Sequence, residues 1–315
     1  GRPAHRSRGV SDATTSLARH GSSFALAARL LPAATAGRVA RLYAACRAVD
    51  DLADGDASPR AAARLERIAA ELETPPARDP LAREFTALAA EGGFARAHAR
   101  ALVGGVRTDL EPVRIASEGE LLVYGYRVAG TVGAMMAPLL GAGDDDAVAP
   151  AVELGIAMQL TNVARDVMAD AAADRRYLPA AWVDLPPAAI AAATPAARTA
   201  VPPAVERLLA LADRFYARGL AGLPHLPPRA RTTVAVAAEL YRAIGTVLRE
   251  RDCAYWQGRA VVPKPRRWAV AARALAGVPR GAGPAHPSSH SENVPCRRRS
   301  GSTPTSPSSV AAARG

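Results

Sequence analysis

Two stretches of this chain set carboxylates into otherwise apolar segments at helical spacing, and that pattern limits the fold more than any other feature of the 315 residues. In residues 42–54, LYAACRAVDDLAD, Tyr43, Arg47, Asp50 and Asp54 follow steps of four, three and four. A helix would therefore carry all of them on one face, beside Val39, Cys46, Val49 and Ala53. In residues 155–170, GIAMQLTNVARDVMAD, Gln159, Asn162, Asp166 and Asp170 recur at steps of three, four and four, with Thr161, Val163 and Val167 on flanking faces. Burying like charges this closely is costly unless something neutralises them. For the first stretch a solvated acidic helix end is the bland alternative. For the second it is a solvent-facing stripe, against which an Asn and a Gln in place of the usual Glu and Arg count.

Oxygen-only side chains favour Mg²⁺ over zinc, with Mn²⁺ as an alternative ion. Two helices that each present an i, i+4 carboxylate pair across a cavity would hold such ions, with waters and phosphate oxygens as the remaining ligands. Such a site suits ionisation of an allylic diphosphate. Metal and Arg stabilise the leaving group, and apolar walls shelter the carbocation from water.

Composition agrees with helices. Hydrophobic residues make up 49% and aromatics 4%, with Ala abundant, which favours helix over sheet. No run alternates with period two, and no internal repeat is evident. Breaks are expected at Pro32, at Thr74-Pro75-Pro76, at Gly92-Gly93, at 141–146, and around Pro186-Pro187 and Pro202-Pro203. The expected organisation is a flexible leader over 1–14, one domain over 15–276 and a disordered Ser/Pro/Arg-rich tail over 277–315.

The net charge of +11 does not imply nucleic acid, because the cations are nearly all Arg, scattered, and form no stripe with interleaved aromatics. They leave open a peripheral contact with an anionic membrane. Cys46, Cys253 and Cys296 are too few and too far apart for a disulfide framework or a zinc site. Residues 1–10 lack an apolar h-region, and no uninterrupted apolar stretch is expected to span a bilayer. The chain reads as cytoplasmic.

At these residues the chain resembles the squalene and phytoene synthase family over about residues 16–275. The likeness begins at 21–32, GSSFALAARLLP, and continues through 43–54 and 124–136, YGYRVAGTVGAMM. It then takes in 162–170, followed by 175–179, RRYLP, and ends with 241–263. It implies an all-α isoprenoid synthase fold, a single helical domain around a central cavity. It implies metal at Asp50 and Asp54 and at Asp166 and Asp170, with Asn162 as a further partner. Arg47, Arg165, Arg175 and Arg259 would hold diphosphate, and Ser23 and Phe24 would contact substrate. Tyr43, Tyr126, Tyr177 and Tyr241 would line the cavity, with Tyr126 and Tyr241 near the reaction.

The implied reaction is head-to-head condensation of two geranylgeranyl diphosphates to phytoene through a cyclopropylcarbinyl diphosphate, in carotenoid biosynthesis, with no NADPH. Residues 128–136 resemble phytoene synthases more than squalene synthases. A squalene or dehydrosqualene-type synthase using farnesyl diphosphate stays open, as does a non-catalytic assembly or lipid-binding relative. Three departures stand out. Ala25 replaces a common Tyr, Ala172-Ala173-Asp174 stands where relatives commonly carry Arg-Arg-Gly, and Arg176 would supply a nearby cation at a usually apolar position.

Overall fold

The computed structural model describes residues 30–54 and 58–277. The expected leader, Ser23, Phe24, Ala25, the side chain of Asp54, and all of the expected tail but Gly277 lie outside the described residues. Among the described residues the chain is all-α, and the isolated bridge between Arg114 and Arg176 is its nearest approach to sheet.

The first four helices are α1 (Ala33–Asp54), α2 (Pro59–Glu73), α3 (Pro80–Gly92) and α4 (Arg96–Arg107). Their starts are written locally. Ser58 caps α2 by accepting from the Ala61 amide and Asp79 caps α3 by accepting from Leu81. Each cap is followed by Pro at the first helical position, where the missing N–H costs nothing. Leu65, Ile68 and Leu72 of α2 recur at steps of three and four and are buried. With Leu42 and Val49 of α1, Phe85 and Leu88 of α3 and Leu102 of α4 they form one core.

Helix α5 (Glu118–Gly125) runs through a π turn at Tyr126–Gly130 into α6 (Thr131–Leu139). Next come α7 (Val148–Ala172), α8 (Pro187–Ala191), α9 (Pro195–Ala221), α10 (Pro228–Arg249) and α11 (Lys264–Gly277). A second core surrounds Leu160 and Ala164 of α7 and Leu208, Tyr216 and Leu240 of α9 and α10. Helix α7 is the hub, packing against the π turn, α6, α8, α9 and α10. By length and composition 145–172 could cross a membrane, though Glu153, Arg165, Asp166 and Asp170 interrupt it as an apolar run. Here it forms the middle of the bundle.

Two glycines set how closely α7 approaches its neighbours. A Cβ on Gly133 would sit 2.0 Å from the Ala151 carbonyl oxygen, and one on Gly155 would sit 2.3 Å from that of Ala129. The small residues of 128–136 thus bring backbone against backbone.

One expected break is wrong. Pro202 and Pro203 lie inside α9, which continues to Ala221. The carbonyls that lose their partners belong to Arg198 and Thr199, which are exposed, so water can satisfy them. Meanwhile Val201, Ala204, Val205 and Leu208 bury the opposite stripe. That burial outweighs two missing hydrogen bonds.

Candidate active site

Helices α1 and α7 border two joined cavities. The larger, about 560 Å³, has mostly apolar walls including Leu102, Val132, Met136, Leu140, Leu154 and Leu226. The smaller, about 240 Å³, is walled by polar groups: Asp50, Asp109, Asp166, Asp170, Arg175 and Tyr177. Arg47, Asp50, Val128, Gln159, Asn162 and Arg165 border both. The helical spacings read from sequence therefore turn Arg47 and Asp50 of α1 and Gln159, Asn162, Asp166 and Asp170 of α7 toward shared space. Along α7, Pro150 and Arg165 both border the larger cavity, and fifteen residues of helix span about 22 Å.

The charges are arranged unevenly. Asp166 accepts from Arg165 Nε at 3.0 Å and from Arg259 Nε at 2.9 Å. Arg47 pairs with Asp51 at 2.7 Å, one residue beyond Asp50. At Asp170 the Arg175 and Arg165 guanidiniums pull the carboxyl down but do not prevail. Burial, and then the nearby Asp166 carboxylate, push it up to about 7. Asn162 donates from Nδ2 to Gln159 Oε1 at 3.3 Å, while its Oδ1 is buried without a hydrogen-bond partner.

Among the described residues, no three His, Cys, Asp or Glu side chains converge as a preformed metal centre. The donors nonetheless fit a hard cation. They are oxygens, one of them an orphaned buried amide oxygen, and Asp170 is a carboxyl whose charge Arg175 and Arg165 offset only in part.

The tyrosines divide. Tyr43 and Tyr241 border the larger cavity. Burial, followed by the neighbouring Tyr241, raises the Tyr43 phenol, and burial raises Tyr241 against the opposing pull of Arg165 and Arg259. Both hydroxyls therefore stay protonated. Tyr177 is buried at the smaller cavity. Tyr126 is not brought in: it is 38% exposed and borders neither cavity. The wide π turn it opens presents Val128 and Ala129 inward instead. Periodic reading of an unbroken α-helix could not foresee this.

Two arginines serve structure. Arg175 borders the smaller cavity and donates to the carbonyls of Ala53, at 3.3 Å, and Asp109, at 3.0 Å. It ties the end of α1 to the turn after α4. Arg176, expected as a nearby cation, borders neither of the two cavities. It is buried against the carbonyls of Val183 and Leu185, at 3.2 and 3.1 Å, which it satisfies.

The Ala172-Ala173-Asp174 departure also acquires a local reason. Helix α7 ends here, and Asp174 has φ +57°, the left-handed region that favours the Gly of relatives. Its carboxylate pairs with Arg114, joining the chain beside the bridge at Arg176.

Sequence reading missed Asp109 and Tyr124. Asp109 accepts from Tyr177 Oη at 2.9 Å and from Tyr124 Oη at 3.0 Å, and the two rings lie 4.8 Å apart. Asp109 sits in a single 3₁₀ turn, Thr108–Leu110, too short to show a period. The contact with Tyr177 spans 68 positions, so no local signal announces it.

Comparisons with known proteins match these features. The squalene/phytoene synthase family model matches residues 17–266. The 15-cis-phytoene synthase of Paracoccus sp. (strain N81106 / MBIC 01143) is 37% identical over 252 residues, covering 76% of this chain and 82% of that protein. The phytoene synthase of Pseudescherichia vulneris is 36% identical over 274 residues, covering 82% and 88%. Among solved structures, a dehydrosqualene synthase in complex with ligand superposes with a TM-score of 0.75 at 28% identity, covering 85% of this chain and 95% of that one. The helices thus adopt the all-α isoprenoid synthase fold that was expected.

Proposed function

Because the chain belongs to the squalene/phytoene synthase family, we propose that it is a prenyltransferase that condenses two geranylgeranyl diphosphates head to head to phytoene. The observation that carries this reading is the joining of a polar cavity to a longer apolar one across shared Arg47, Asp50, Asn162 and Arg165. A diphosphate head and a long isoprenoid tail need that pairing of chemistries. The length along α7 suits the longer tail, and the 32–37% identity to several bacterial phytoene synthases supports the same choice.

Asp50, Asp54, Asn162, Asp166 and Asp170 would hold Mg²⁺. Bound there, the ion neutralises diphosphate charge and so favours its departure. The chain's own groups do the rest. Arg47 and Arg165 hold diphosphate oxygens at the cavity junction, Arg259 holds them from the larger cavity beside Asp166, and Arg175 braces the smaller cavity. One substrate loses diphosphate, and its allylic C1 cation alkylates the second substrate's double bond. Loss of a proton then closes a cyclopropylcarbinyl diphosphate. That intermediate loses its own diphosphate, rearranges, and sheds a second proton to give phytoene, so no hydride donor enters.

The walls at Leu102, Val132, Met136 and Leu154 keep water from the cations. Neutral Tyr43 and Tyr241 place hydroxyl dipoles and ring faces beside them. Tyr126, being outside the cavities, has no part in this scheme. The free thiols of Cys46 and Cys253 fit the reducing cytoplasm.

The test is product analysis of purified protein with Mg²⁺ and either geranylgeranyl or farnesyl diphosphate, with and without NADPH. Phytoene from the longer substrate, independent of NADPH, is expected. Product from farnesyl diphosphate alone would move the function to the squalene branch. No product from either would overturn the enzymatic reading.

A further inference from the structure

A third, much smaller pocket adjoins the polar cavity through Asp170, which borders both. Its volume is about 10 Å³, close to the least that admits one water molecule. Val163, Val167, Ala171, Leu178 and Ile190 supply apolar walls, and Arg176 supplies a cationic one.

Arg176 keeps a donor in reserve there. The residue is only 9% exposed. Its Nη1 donates to the carbonyls of Val183 and Leu185, and its ion pair, at 3.4 Å, is with the exposed Asp184. Its Nε is buried and meets no protein acceptor. A buried N–H of this kind is costly unless ordered water satisfies it. Water suits this pocket better than an ion does. It accepts from Nε–H and donates to a carboxylate, whereas an anion would be repelled by Asp170 and a cation by Arg176.

We propose that one buried water bridges Arg176 Nε to the Asp170 carboxylate, and that Arg176 is thereby a positioning residue for the polar cavity. The water fixes one carboxylate oxygen from the far side and leaves the other for the ion. Outer groups that orient a ligand in this way commonly govern how well the ligand binds metal. The positioning role rests on the reading of Asp170 as a metal ligand; the bridge itself does not.

Diffraction from crystals of the wild-type protein tests the bridge directly. Ordered density within hydrogen-bond distance of both Arg176 Nε and an Asp170 oxygen is expected. The positioning role is read from Mn²⁺ binding in the presence of inorganic diphosphate, followed without turnover by electron paramagnetic resonance of the free ion. Val167→Ile adds a methyl group at the pocket wall and leaves Arg176 and Asp170 in place. It should expel the water and weaken Mn²⁺ binding about tenfold. Arg176→Lys keeps the charge and can reach the same carbonyls, but it has no N–H along its stem. It should weaken binding by a similar factor. Neither substitution should weaken binding further in an Asp170→Asn background.

A wild-type structure without water between the two groups would overturn the bridge, whatever the metal affinity. Mn²⁺ affinity undiminished in both variants would overturn the positioning role. So would full affinity in Arg176→Lys alone, since charge and carbonyl contacts would then suffice. Wild-type protein that holds the water yet takes up no Mn²⁺ would refute the metal reading of Asp170, and the positioning role with it, while upholding the bridge.

Discussion

Replacing Asp170 with Asn tests the electrostatics of the site without requiring a substrate. Asp170 is largely buried, and burial together with Asp166 raises its carboxyl to about 7, while an Asp in an unfolded chain titrates near its ordinary value of 3.8. The folded protein thus keeps a proton that the unfolded chain gives up. Stability from this group is fully present below the unfolded value and is lost as pH rises through the window from about 4 to 7. Integrating that difference, the metal-free protein should lose about 2 to 3 kcal/mol between pH 5 and pH 8 through this group alone. Asn at the same position carries no charge to bury, so Asp170→Asn should remove most of that loss.

The assay is thermal unfolding of both proteins at pH 5 and pH 8 in EDTA. At pH 8 the variant should melt about 5 °C above wild type, at roughly 2 °C per kcal/mol for a chain of this size, with a smaller gap at pH 5. Adding Mg²⁺ and inorganic diphosphate should stabilise wild type more than the variant and so narrow the gap. A variant that melts below wild type at pH 8, or a gap that does not change with pH, would refute the reasoning about Asp170.

Gly133→Ala would push a methyl group to 2.0 Å from the Ala151 carbonyl oxygen. Because the obstacle is backbone, overpacking should outweigh the better helix propensity of Ala and cost about 2 kcal/mol, read as a lower melting temperature. An unchanged melting point would mean that α6 and α7 do not approach so closely. Asp109→Asn keeps one acceptor oxygen where two tyrosine hydroxyls now donate. The hydroxyl left over should cost about 1–3 kcal/mol in urea unfolding and loosen Tyr177 at the smaller cavity, lowering turnover. Wild-type stability in that variant would show that the tyrosines find other acceptors.

The site was legible in sequence where its geometry is periodic. Asp50, Asn162, Asp166 and Asp170 reach shared space because steps of three and four fix a helix face before any packing is known. The breaks at Thr74-Pro75-Pro76 and Gly92-Gly93 were equally local, for helices α2 and α3 end there. What escaped depends on contacts between distant segments. Asp109 matters through Tyr124 and Tyr177, and nothing near it in the chain says so. Pro202 and Pro203 are sound breaking signals that lost to the buried stripe on the far side of α9. Arg176 reads as a spare cation until the carbonyls of Val183 and Leu185 turn toward it. Tyr126, which the family resemblance placed at the cavity, borders neither cavity, and the π turn it opens presents Val128 and Ala129 instead.

The division between the two cavities bears on how such a scaffold can change over time. The residues at the distal end of the larger cavity, Leu140, Ala147, Pro150, Leu223 and Leu226, do not border the smaller one. A substitution there alters the room for a tail without displacing a carboxylate or guanidinium. Tail length can therefore drift under selection while bond-making chemistry stays intact, whereas a change at Arg47, Asp50, Asn162 or Arg165 would disturb both. One lineage can in this way try new chain lengths at little risk to activity, a latitude that arises because recognition of size and handling of charge are set by different residues of the joined cavities.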